Sequence, residues 1–154
     1  EMARTLGIAR FMVPRLAAGL SAHGGLVSDI RGEASATHPT SSLNFALGAV
    51  NETLLRLRAQ GDAFLKRAGV PPSQRRFAYA FQARYKYQSW EIDVPFDDGP
   101  LSEGDIPVLA DAFHQMHERI YTIKNEVDEV EFTTWTVRAI GPPCENGRQP
   151  PGPA

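Results

Sequence analysis

Two imidazoles and a carboxylate fall within five residues at His114, His117 and Glu118, side chains that can ligate a metal or move protons. Their spacing argues against zinc. Helical zinc pairs set histidines four apart on one face with a glutamate between them, whereas His114 and His117 are three apart with Gln115 and Met116 between. With no further ligand evident, no metal site is assigned, and hydrogen bonding of the two rings, in a core or against a partner, is the expectation. Arg84, Gln88, Glu91 and Asp93 form a second polar set on an otherwise aromatic stretch, and an Arg84–Glu91 pair across a turn would be structural. Ser21 and Ser89 lack the G-x-S-x-G elbow of a nucleophile. Cys144 has no helix start or histidine beside it to lower its pKa. Gly24 and Gly25 belong to neither phosphate-loop pattern. No catalytic residue is assigned.

The elements that must position these groups follow from hydrophobic period. Leu47, Val50, Leu54, Leu57, Gly61, Phe64 and Ala68 recur at steps of three and four, which predicts a long helix from Leu43, with Ser42 as N-cap, Gly69 as C′ and Pro71 and Pro72 beyond. Phe77, Tyr79, Phe81, Ala83, Tyr85 and Tyr87 alternate with polar or small residues, the signature of a half-buried strand. Trp90, Ile92 and Val94 then continue on the other parity, so a turn or bulge lies near Gln88 and Ser89. Ser102 and Asp105 predict the start of a shorter helix with Ile106, Leu109, Phe113, Met116 and Ile120 on its apolar face. A last strand covers residues 130–140.

Ahead of these, Ile8 to Val13 predict a short strand, and Ser21 a capped helix through Asp29 holding Gly24 and Gly25. Residues 31–42, polar and carrying Pro39, predict a loop. The expected architecture is α+β, an antiparallel sheet packed with one long and one shorter helix, preceded by a strand-loop-helix segment. Its expected divisions are residues 1–42, 43–140 and a loose Pro/Gly-rich tail, 141–154.

Composition bounds the partners. The 154 residues include 16 basic and 18 acidic side chains, a formal charge of −2, too little to gather nucleic acid. No apolar run approaches the roughly 20 residues of a membrane span. One cysteine permits no internal disulfide, which suits a reducing cytoplasm.

Three stretches, in order, resemble the hydantoinase A/oxoprolinase family. The first is Leu6, Gly7 and Ile8, then Val13 and Pro14, then Gly19, Ser21, Ala22 and Gly24, then Asp29, Ile30 and Arg31. The second is Arg84, Tyr85, Gln88, Glu91, Val94 and Pro95, and the third Phe113, His114, His117, Glu118 and Tyr121. Tyr87 stands where the family has glycine, so a turn that wants positive φ is expected to be built differently.

The resemblance implies a C-terminal region downstream of an actin-like ATP-binding core, of which this chain has no phosphate segment. It implies a small structural subunit of an ATP-dependent carboxylase, acetophenone carboxylase-like, joining bicarbonate to an aromatic ketone. Its expected partners are a hydantoinase A-like ATP-binding subunit, which holds ATP and Mg, and a hydantoinase B-like subunit. The isolated chain then binds no cofactor and is inactive. Residues 1–42 complete the partner's actin-like domain, with Ala18, Gly19, Ser21, Ala22, Gly24 and Gly25 at the contact. Asp29, Arg31, Arg84, Tyr85, Gln88, Glu91, His117 and Glu118 are family-pattern positions without an assigned role. The alternatives are a fragment of an ATP-dependent cyclic amide hydrolase and a free-standing binding module.

Overall fold

The computed structural model describes residues 2–10, 12–13 and 17–143. In chain order it contains α1 (Met2–Thr5), α2 (Leu20–Val27), β1 (Ile30–Ser41), α3 (Leu47–Arg67), β2 (Arg76–Tyr85), β3 (Ile92–Phe96), α4 (Asp105–Tyr121) and β4 (Val130–Gly141). Residues 30–142 form one compact unit, and the described residues before Ile30 belong to a second, smaller one.

In the larger unit the sheet order is β1-β4-β2-β3, with every neighbouring pair antiparallel. β1 and β2 therefore run parallel with β4 between them, linked by α3, while β3 and β4 run parallel with β2 between them, linked by α4. Two split β-α-β units interleave to close one sheet. The odd-numbered residues of β2 face both helices: Arg58 of α3 donates to the Tyr79 hydroxyl at 2.9 Å, and Tyr85 packs edge-on to Phe113 of α4 at 4.9 Å. Both helices thus cover one face, over a core holding Val50, Leu54, Leu57, Phe81, Phe113, Phe132 and Trp135. The opposite face is polar, with cross-strand pairs Arg138–Glu33 at 2.6 Å and Arg84–Glu131 at 2.9 Å.

The alternation expected in β2 and the long helix are both present. Residues 31–42, expected as a loop, are instead the twelve-residue edge strand β1. The alternation there uses small residues: Ile30, Gly32, Ala34 and Ala36 are half-buried while Arg31, Glu33, Ser35 and Thr37 are exposed. Pro39 falls in the register shift between Thr37 and Thr40, where its missing N–H interrupts no regular ladder. The sheet therefore begins at Ile30, within the segment expected to precede the α+β region. β4 carries an extra residue of its own, Thr133, opposite the Gln82–Ala83 step. This bulge moves the inward side chains from Val130 and Phe132 to Trp135, Val137 and Ala139, all fully or almost fully buried.

α3 starts at Leu47 behind Ala46 rather than at Leu43, because Ser42 is used elsewhere: its hydroxyl accepts the Val130 N–H at 3.1 Å. The helix ends as expected at Gly69, with φ +77. Val70 N–H bonds Leu65 O and Gly69 N–H bonds Lys66 O, a Schellman closure with Val70 and Leu65 packed together. Ahead of the sheet, the described residues among 8–13 form no strand, and α2 has Gly19 at its N-cap with Ser21 inside the helix. Among the described residues no helix is long and apolar enough to cross a membrane.

Candidate functional site

The sheet order sets the turn after β2 beside the C-terminal half of α4, bringing the second and third family-like stretches together. Tyr85, the last residue of β2, has its ring against both histidines of α4, stacked on His114 at 5.5 Å and edge-on to His117 at 4.7 Å. The Tyr85 oxygen accepts the Asn125 N–H at 2.9 Å and lies 2.8 Å from His114 Nδ1. All three groups are satisfied when the Tyr85 O–H donates to an unprotonated Nδ1, which puts the His114 proton on Nε2. Burial lowers the His114 pKa below its ordinary value, against the opposing pull of Glu126 and Asp111. Burial also raises the Tyr85 pKa. Both groups are held neutral, so the pair fixes a loop rather than carrying charge.

One turn along α4, His117 Nδ1 lies 2.6 Å from the Ile123 carbonyl oxygen. A carbonyl can only accept, so Nδ1 bears a proton, and in the singly protonated ring the acceptor is Nε2. No buried side-chain nitrogen or oxygen among the described residues lacks a partner. His117 Nε2, which makes no hydrogen bond among them, is therefore not sealed in the core, and the residue lines a groove. That groove, about 370 Å³, is walled by Gln88, Ser89, Trp90, His117, Tyr121 and Ile123. Trp90 is 80% exposed on one lip. On the other, the Tyr121 ring lies 4.7 Å from His117.

Each lip is built at a non-glycine residue with positive φ, Tyr87 at +73 and Thr122 at +64. The turn expected near Gln88 is closed by Gln88 N–H to Tyr85 O at 3.0 Å, with Tyr87 at the position where a type II turn favours glycine. The turn, expected to be built differently for want of a glycine, instead takes its positive φ at Tyr87. Lys86 ties the turn to the residues before β4 through Glu129, bonding its carbonyl by backbone and its carboxylate by side chain.

The remaining candidates scatter. Arg84 pairs with Glu131, its neighbour on β4, rather than with Glu91, which is exposed. Glu118 lies 3.8 Å from Lys124, whose ammonium is held more tightly by Glu126 at 2.8 Å. Arg31 and Asp29 lie at the start of β1, remote in sequence from these residues. Of the apolar stripe expected on α4, Leu109 and Phe113 are buried and Met116 packs on the core, His114 and His117 are buried beside them, and Ile120 is 51% exposed. The small residues Ala18, Gly19, Ser21 and Ala22 are exposed, and a Cβ built on Gly19, Gly24 or Gly25 would meet nothing within 4 Å. Among the described residues a Cβ thus has room at those three glycines. Cys144 lies outside the described residues. Among the described residues no three histidine, cysteine or carboxylate side chains are grouped to hold a metal ion. Sequence reasoning missed Ile123 and Asn125, which act through backbone atoms and leave no signal in residue type.

No family model matches the chain. It is 28% identical over 135 residues, 86% of its length, to the caprolactamase subunit alpha of Pseudomonas jessenii. A second match, 36% identical over 58 residues, is to an uncharacterised protein of Methanocaldococcus jannaschii. Among solved structures it resembles the ATP-dependent caprolactamase of P. jessenii, with TM-score 0.72 and 26% identity over 88% of the chain. It also shares its fold with an ATP-dependent acetone carboxylase in the nucleotide-free state, with TM-score 0.75 and 19% identity over 92% of the chain. The chain spans 19% of the caprolactamase subunit and 21% of the acetone carboxylase chain.

Proposed function

We propose, for a chain homologous to a C-terminal part of hydantoinase/oxoprolinase-family enzymes, that it serves as the α+β part of an ATP-dependent cyclic amide hydrolase. The observation that carries this reading is the match to the caprolactamase subunit alpha along 86% of the chain. The nucleotide and its Mg are then held by hydantoinase A-like parts of the enzyme, with a hydantoinase B-like subunit alongside. A non-catalytic role for this chain is supported by its chemistry: Nδ1 of each buried histidine is spent on Tyr85 or Ile123, and among the described residues no serine has a base assigned to it.

The second reading is an ATP-dependent carboxylase of the acetophenone carboxylase kind, and the acetone carboxylase fold favours it. Phosphate release by the assembled enzyme separates the two. With caprolactam it is expected to rise, and with acetophenone plus bicarbonate to stay at the ATP-only rate. The reverse result assigns the carboxylase reading, and stimulation by neither overturns both. Calorimetric titration of the isolated chain with Mg-ATP is expected to show no binding; micromolar affinity would contradict the non-catalytic role.

A further inference from the structure

We propose that the groove between the 86–91 turn and the C-terminal end of α4 binds a small uncharged ring carrying an amide. The ring lies against Trp90 and Tyr121, and His117 Nε2 accepts the amide N–H. This deepens the cyclic amide reading and rests on it. A groove of about 370 Å³ lies at the lower end of small-molecule sites, suited to one ring rather than to a nucleotide. Its wall has two aromatic side chains, Ile123 and three polar groups, with no charged side chain among them, so it selects an uncharged ligand.

The chemistry of the polar groups is directional. With Nδ1 of His117 spent on Ile123 O, the ring that lines the groove has Nε2 left as its acceptor, so it requires a donor, which an amide supplies and a ketone does not. The Gln88 carboxamide offers a donor for the carbonyl of the same amide. Both lips depend on non-glycine residues held at positive φ, Tyr87 and Thr122, and backbone of that kind gathers at functional sites. The exposed Trp90 gains from a ring laid on it without disturbing the core.

Tryptophan emission of the full chain tests this, because Trp90 is 80% exposed while Trp135 is fully buried. Titration with caprolactam is expected to saturate in the millimolar range. Cyclohexanone, a similar ring without an N–H, is expected to bind about fivefold to tenfold more weakly, the value of one hydrogen bond. Trp90→Phe is expected to remove the signal. His117→Asn keeps a donor near the Nδ1 position for Ile123 O and lacks Nε2, so it is expected to abolish the preference for caprolactam. His117→Gln, whose amide reaches the Nε2 position, retains part of that preference. No saturable signal with either ring, or a preference unchanged in His117→Asn, overturns the site. If the assembled enzyme keeps its caprolactam-driven phosphate release with unaltered KM in His117→Asn, the groove is not the substrate site and the cyclic amide reading stands. Binding with no phosphate release overturns that reading and leaves the groove.

Discussion

Tyr87 sits at φ +73 with its side chain 93% exposed, so it bears the cost of a left-handed backbone, about 1–2 kcal/mol, with little packing in return. Replacement by glycine removes that cost but adds freedom to the unfolded chain. Tyr87→Gly is therefore expected to raise stability by about 0.5–1 kcal/mol in urea denaturation, and a loss would show that the Lys86 ammonium 5.8 Å over its ring matters more. The sequence led to the expectation of a turn built differently at Tyr87, because residue type does not show that a tyrosine will take positive φ. The neighbouring His114 gives a pH dependence whose sign follows from burial. Its folded pKa is lowered from 6.5 by desolvation, so the unfolded chain takes up a proton first as pH falls. Its contribution to stability is complete above the unfolded value and is lost as pH drops through it toward the folded one. The groups facing it are Tyr85, His117, Asp111, Lys124 and Glu126. Unfolding free energy is expected to fall between about pH 7.5 and 5.5, and less steeply in His114→Gln. An equal slope in both proteins would place the dependence elsewhere.

At the scale of elements, what was legible was periodic. β2 and the buried face of α3 follow from repeats of two and of three to four, because burial alone sets them. β1 was hidden because its inward residues are Gly32, Ala34 and Ala36, too small to mark an apolar face, and because Pro39 sits in a bulge. The stripe of α4 was legible in Leu109, Phe113 and Met116 but incomplete, because its core positions include His114 and His117, whose polar atoms find partners on Tyr85 and Ile123. Gly61 shows what a small residue does in this packing. A Cβ there would lie 2.9 Å from the Ala139 Cβ and 3.4 Å from the Phe77 ring, so glycine lets α3 approach β4. Gly61→Val is expected to lower stability by about 1–3 kcal/mol through overpacking, beyond any gain in helix propensity. A variant as stable as the parent in thermal melts would mean that α3 can move off the sheet without penalty.

On the scale of the whole molecule, the buried clusters lie entirely between Val50 and Ala139, and residues 30–142 form a compact unit of their own. The segment ahead of it is different in kind. Leu6 is 71% exposed, Met12 90%, Val13 67% and Leu20 54%, apolar side chains that a partner surface would cover. The resemblance assigned that segment to the surface of an ATP-binding core, and the open space beside Gly19 and Gly24 is what such a contact would fill. Two variants separate folding from assembly. Deleting residues 1–29 is expected to change the unfolding free energy of the sheet unit by less than about 1 kcal/mol, since no core side chain is lost. Gly19→Trp is expected to be equally silent in denaturation, because a Cβ at Gly19 meets nothing within 4 Å among the described residues. Both are expected to abolish co-purification with the hydantoinase A-like part and, with it, substrate-stimulated phosphate release, whereas Trp90→Ala leaves co-purification intact. Retained assembly in Gly19→Trp would remove the small-residue stretch as the contact. A sheet unit that unfolds on losing residues 1–29 would make that segment part of the fold, not a docking arm.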